Sequence, residues 1–134
     1  MDQYERIYQR LEKLIPDLRD LKRGDYRESE APGFMNLHMD VLSKTKDELM
    51  IALSHTFTQN GDAIPDPDME IRVYLLDDWR KAEALTYQDQ FGYRRVYHQE
   101  DGRTLVNPNA KRDLNAFLIQ WLKNLEVQGH RLAG

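Results

Sequence analysis

Apolar residues recur every three or four positions at both ends of this chain and every second position between them. The first spacing gathers side chains on one face of a helix, and the second gathers them on one face of a strand. A chain that changes period in this order folds as helices covering a sheet, because each one-sided element needs an apolar partner.

At the amino end Tyr4, Ile7, Tyr8, Leu11, Leu14, Ile15, Leu18 and Leu21 form the stripe. Asp2 is placed to cap it, with Glu5 three residues on as a capping box requires. Pro16 disfavours helical backbone at Ile15, so the spacing predicts a helix over 3–15, a second turn over 16–22 and a stop at Gly24. Residues 25–33 have no period and read as loop. Leu37, Met39 and Val41 then alternate with polar residues, as do Leu49, Ile51, Leu53, His55 and Phe57 after the polar link 44–48, which predicts an antiparallel hairpin. Asn60-Gly61 and the pair Pro65 and Pro67 read as the next connection, followed by a third strand carrying Met69, Ile71, Val73 and Leu75. Weaker patterns in 82–88 and 93–98 allow a fourth and a fifth strand.

The last helix has the clearest signals. Asn107-Pro108 gives a cap and a first-turn proline. Leu114, Phe117, Leu118, Trp121, Leu122 and Leu125 share one face, and Gly129 supplies the stop. The expected fold is a single α+β domain over 1–134. It is an antiparallel meander of three to five strands, flanked by an amino-terminal and a carboxy-terminal amphipathic helix packed on one sheet face.

Composition removes whole classes of chemistry. The 134-residue chain has no cysteine, which excludes disulfides, thiolate metal sites and a thiol nucleophile. No apolar run approaches the roughly 18 residues of a membrane span, and the acidic opening Met1-Asp2-Gln3-Tyr4-Glu5 is unlike a secretory signal. A cytoplasmic protein with no membrane partner is expected. The net charge of −4 argues against nucleic acid as a partner. It is unevenly spread, with acids in excess over 62–89 and bases in excess over 90–134.

Motifs for catalysis are missing. There is no GxSxG, Walker loop, GxGxxG or HExxH, so no catalytic residue, metal ligand or cofactor is assigned. Among the histidines, the alternation turns His38 away from the apolar face and puts His55 on it, so the two do not converge on an ion. Asp62, Asp66, Asp68 and Glu70 lack the register of a calcium loop. Asp77-Asp78-Trp79 reads as a turn, with Trp79 closing the edge of the core.

Five residues remain as binding candidates. Arg72 and Tyr74 lie on the non-core face of the third strand, where a guanidinium fork suits a carboxylate or phosphate; the plain alternative pairs Arg72 with a nearby acid such as Glu70 or Asp78. Tyr93, Arg95 and Tyr97 share a face if extended, as a base-stacking platform would need.

The runs Ile7-Tyr8-x-x-Leu11-x-x-Leu14-Ile15-Pro16, Pro67-x-Met69-x-Ile71-Arg72-Val73-Tyr74 and Asn115-x-Phe117-Leu118-x-x-Trp121-Leu122 resemble those of the YqiB-like family of short bacterial proteins, a domain of unknown function. The likeness spans nearly the whole chain and departs over 93–112, where Asn109-Ala110-Lys111 keeps only the lysine of an acidic-then-basic stretch. It implies a bacterial cytoplasmic protein and brings no reaction or cofactor. The leading expectation is a non-catalytic binding or adaptor domain acting through the outer face of its sheet, on a protein partner or a small anionic ligand. The alternatives are a nucleotide or single-stranded nucleic-acid binder using Tyr93, Arg95 and Tyr97, and a small-metabolite enzyme with Arg72 as anion clamp.

Overall fold

A computed structural model describes residues 1–134. Helix α1 (Gln3–Leu14) opens with the capping box. The Asp2 carboxylate accepts from the Glu5 amide at 2.9 Å, and the Glu5 carboxylate receives the Asp2 amide. The helix ends one residue before the proline-directed break, and a short 3-10 turn follows at Leu18–Asp20.

The strands are β1 (Tyr26–Ser29), β2 (Leu37–Lys44), β3 (Glu48–Gln59), β4 (Asp62–Tyr74), β5 (Ala82–Ala84), β6 (Thr86–Asp89), β7 (Gly92–Arg95), β8 (Tyr97–Glu100) and β9 (Arg103–Val106). Helix α2 (Pro108–Gln128) closes the fold, capped by Asn107 and ended by Gly129 at φ 92°, where the left-handed backbone suits glycine.

The class is α+β, but the strand count expected from the sequence is too low. Seven strands form one antiparallel sheet in the order β1-β2-β3-β4-β6-β7, with β5 also on β4, and β8 and β9 make a separate hairpin. The expected fifth strand over 93–98 divides at Val96 into β7 of the sheet and β8 of the hairpin, and β9 lies in a segment read without a strand. Three further departures concern the main sheet. First, β1 lies in the segment read as loop. It is a four-residue edge strand with only Ser29 buried, so it shows no apolar alternation. Second, β4 starts at Asp62, not near Met69, so Pro65 and Pro67 sit inside a strand. Before Asp68, β4 pairs with β3 on one side and has no neighbour on the other, so the prolines remove no needed donor. The connection is Asn60-Gly61 alone, both at positive φ as a two-residue hairpin turn requires. Third, the expected fourth strand is two strands. Ile71 pairs with Ala84 and Asp68 with Gln88, so four steps of one chain match three of the other. The extra residue is a bulge around Leu85, which breaks the alternation that identifies a strand.

One sheet face is apolar. Leu37, Met39, Leu49, Ile51, Leu53, Met69, Ile71 and Val73 are fully buried against Ile7, Leu11, Leu118 and Leu125 of the two helices. Each large side chain so buried contributes roughly 1.5–3 kcal/mol. His55 lies on this face as expected and meets the edge of the Trp121 ring, while His38 faces outward against Tyr26. No helix is long and apolar enough to cross a membrane.

Candidate functional site on the outer face of the sheet

The register of β3, β4 and β5 brings the outer-face side chains together. Arg72 stands opposite Glu83 on β5 and Met50 on β3, and Tyr74 lies two residues along on the same face. The result is a knot around one carboxylate. Glu83 is only 4% exposed. Its Oε1 accepts from Arg72 at 3.2 Å and from the Tyr74 hydroxyl at 2.6 Å, and its Oε2 accepts from the Tyr97 hydroxyl at 2.8 Å. Arg72 therefore pairs with Glu83, and with Glu48, whose carboxylate lies 3.4 Å from Nε at an angle that makes no hydrogen bond. Neither Glu70 nor Asp78 is its partner.

Helix α2 is fixed to this strand by Asn115, which is fully buried. Its carbonyl oxygen accepts from the Ala84 amide at 2.8 Å and its amide donates to the Lys111 carbonyl at 2.7 Å. Lys111, one turn earlier on the same face, is thereby delivered beside Glu83. Its ammonium donates to the Tyr97 hydroxyl at 3.1 Å and lies over the rings of Tyr97 and Tyr4.

These groups line a recess of about 230 Å³ where the outer face meets the amino ends of both helices. Tyr4, Tyr74, Trp79 and Tyr97 form its aromatic walls, with Lys81, Lys111 and Glu83 between them. Trp79 does not close the core. It is 45% exposed and packs against Tyr74 with ring centres 5.2 Å apart. Lys81 lies over the Trp79 ring and pairs with Asp2 at 3.1 Å.

Electrostatics make the knot static. Burial, and then the bond to Glu83, push the Tyr97 hydroxyl above the usual phenol value of 10, with Lys111 opposing. Burial and Glu83 do the same to Tyr74, with Arg72 opposing. The bond to Tyr97 holds the Lys111 ammonium above its ordinary value of 10.5, with burial opposing. Both phenols and the ammonium thus keep their protons far above neutral pH.

Farther along the outer face, Tyr93 and Arg95 of β7 lie with Arg72 and Tyr97 along one shallow groove, next to Glu70 and Thr86. Arg94, between them, turns to the other side and pairs with Asp113 of α2. The five sequence candidates therefore share one face, though Tyr97 belongs to the hairpin and Tyr93 to the sheet. The far end of that face is acidic. Burial first, then Glu70 and Asp40, raise the Asp68 carboxyl above the usual carboxylate range.

Sequence reasoning missed Glu83, Lys111, Lys81 and Tyr4. A glutamate between two alanines in Ala82-Glu83-Ala84 is the one local signal, since a charge flanked by small apolar residues fits a packed strand with one face inward. Lys111 has no such signal, because only the pairing of α2 with β5 puts it there.

The fold and this recess define a helix-covered antiparallel sheet with a compact aromatic and cationic cleft at its rim. By comparison with known families, residues 9–131 match the model of the domain of unknown function DUF6908, and the chain belongs to that family. No curated protein and no solved structure matches it.

Proposed function

We propose that this chain is a bacterial, cytoplasmic, non-catalytic binding domain that takes its ligand on the outer face of the sheet. The bacterial and cytoplasmic parts rest on the resemblance of its helix and strand runs to the YqiB-like family. The binding part rests on one observation, the Glu83 knot. Arg72, Tyr74 and Tyr97 are all held by a single buried carboxylate, so two of the four aromatic walls of the recess stand in position before any ligand arrives. Such preorganisation lowers the entropy cost of binding.

A catalytic reading has less support. A general acid or base works best with a pKa near the operating pH, and both phenols of the knot are pushed away from it. Arg72 as anion clamp would first have to give up Glu83 and Glu48.

The test is a thermal-shift screen against aromatic acids, phosphorylated metabolites, nucleotides and short oligonucleotides. A ligand at 100 times its Kd adds about 2.7 kcal/mol of stability, which moves the Tm of a domain this size by several degrees. Hits are expected to be lost on Trp79→Ala or Arg95→Ala. Hits that survive both, and are lost instead on Phe117→Ala of the helical side, contradict the outer face as the binding surface.

The groove holding Tyr93, Arg95 and Tyr97 favours a second reading, a single-stranded nucleic-acid binder. It requires affinity that falls steeply with salt and with Arg95→Ala. The acids Asp68 and Glu70 beside Tyr93 oppose it by repelling phosphates.

A further inference from the structure

We infer that the rim recess binds a small planar ring carrying a single negative charge, an aryl carboxylate, with Lys111 as its counter-ion. This rests on the outer-face reading and specifies the ligand.

Size comes first. Pockets for drug-sized ligands span roughly 300–1,000 Å³, and this recess holds about 230 Å³. It suits one ring with one substituent. The walls select the ring. Tyr74 and Tyr97 commit their hydroxyls to Glu83 while their rings line the cavity, and Trp79 is half-exposed there with Lys81 over its ring. A flat aromatic ligand covers that exposed surface and gains offset stacking.

Charge selects the substituent. Every other charged group of the cluster has an opposite charge within ion-pair distance: Arg72 with Glu83 and Glu48, and Lys81 with Asp2. Lys111 has none, and its polar contact is the Tyr97 hydroxyl. Glu83 reaches Lys111 only through the Tyr97 hydroxyl, so this ammonium is the one cation lining the recess with no carboxylate in direct contact, and it suits one negative charge. A doubly charged phosphate would bring a second charge that the site leaves unmatched. The rings of Tyr4 and Tyr97 beside the ammonium also displace water, which strengthens its attraction for an anion.

The experiment measures affinity of the intact protein for benzoate, benzamide and phenyl phosphate by calorimetry, with Lys111→Met, Trp79→Ala, Arg94→Ala, Arg95→Ala and Phe117→Ala variants whose folding is checked by thermal melting. Benzoate is expected to bind at least tenfold more tightly than benzamide. Lys111→Met should abolish that preference, Trp79→Ala should weaken both ligands, and Arg94→Ala should change neither. No benzoate binding at millimolar concentration overturns the inference, as does equal affinity for benzamide, tighter binding of phenyl phosphate, or an unchanged preference in Lys111→Met. Benzoate binding lost on Arg95→Ala but kept in Lys111→Met also overturns it, while leaving the outer face as the binding surface. Binding lost only on Phe117→Ala overturns both.

Discussion

Tyr97 donates its hydroxyl proton to Glu83 across 2.8 Å, and this bond ties the β8–β9 hairpin to the main sheet. The same carboxylate holds Arg72 and Tyr74 of β4. One side chain therefore organises both the rim recess and the junction of the two sheets.

Glu83→Ala should destabilise the protein by about 3 kcal/mol, because it leaves a partly buried guanidinium and two phenols without their acceptor. Urea unfolding measures it. A loss under about 1 kcal/mol would mean that water replaces the carboxylate freely and that the knot is not structural.

Asn115→Ala removes the acceptor for the Ala84 amide and the donor to the Lys111 carbonyl, inside the core. A buried orphaned amide costs about 2 kcal/mol. Amide hydrogen exchange at Ala84 should accelerate beyond what the global loss of stability explains. Unchanged relative protection there would show that Asn115 does not hold α2 to β5.

Leu53→Ala empties a fully buried position and should cost about 3 kcal/mol. Phe91→Ala, at the 88% exposed tip of the β6–β7 turn, should stay within about 0.5 kcal/mol of wild type. Equal effects in denaturant titrations would contradict the assignment of the core face.

Stability should fall with acid through His130. Burial, and then the neighbouring His55 ring 5.7 Å away, hold its imidazole below the ordinary 6.5, with the Met35 backbone opposing. The unfolded chain takes up a proton as pH drops through about 6.5 while the folded one resists until lower pH, so the unfolded state binds more protons in that window and stability decreases. Tm measured from pH 8 to pH 5 should drop less steeply in His130→Gln than in wild type. Parallel curves would remove His130 as the cause.

Both helices were legible because their stripes, caps and stops all lie within consecutive residues, as in Asn107-Pro108 and Gly129 of α2. The central strands were legible for the same reason, since Ile51, Leu53, Ile71 and Val73 alternate without interruption. Legibility ended where long-range pairing outweighs local pattern. The bulge at Leu85 shifts the alternation, the prolines of β4 are tolerated only because that end has an open edge, and β1 is a strand only because β2 lies beside it. The same limit applied to the recess. Arg72 and Tyr74 were visible from their strand, but Glu83, Lys111 and Tyr4 come from three other elements whose meeting no local spacing records.

The most direct test of the outer face as the binding surface is a 1H–15N correlation spectrum followed during titration with benzoate. Shifts should concentrate at Tyr74, the Trp79 indole, Glu83, Tyr97 and Lys111, and saturate together with one Kd. Shifts clustered around Leu114 and Phe117 on the helical side would contradict it, whereas a spectrum unmoved at millimolar benzoate would overturn the aryl carboxylate as the ligand.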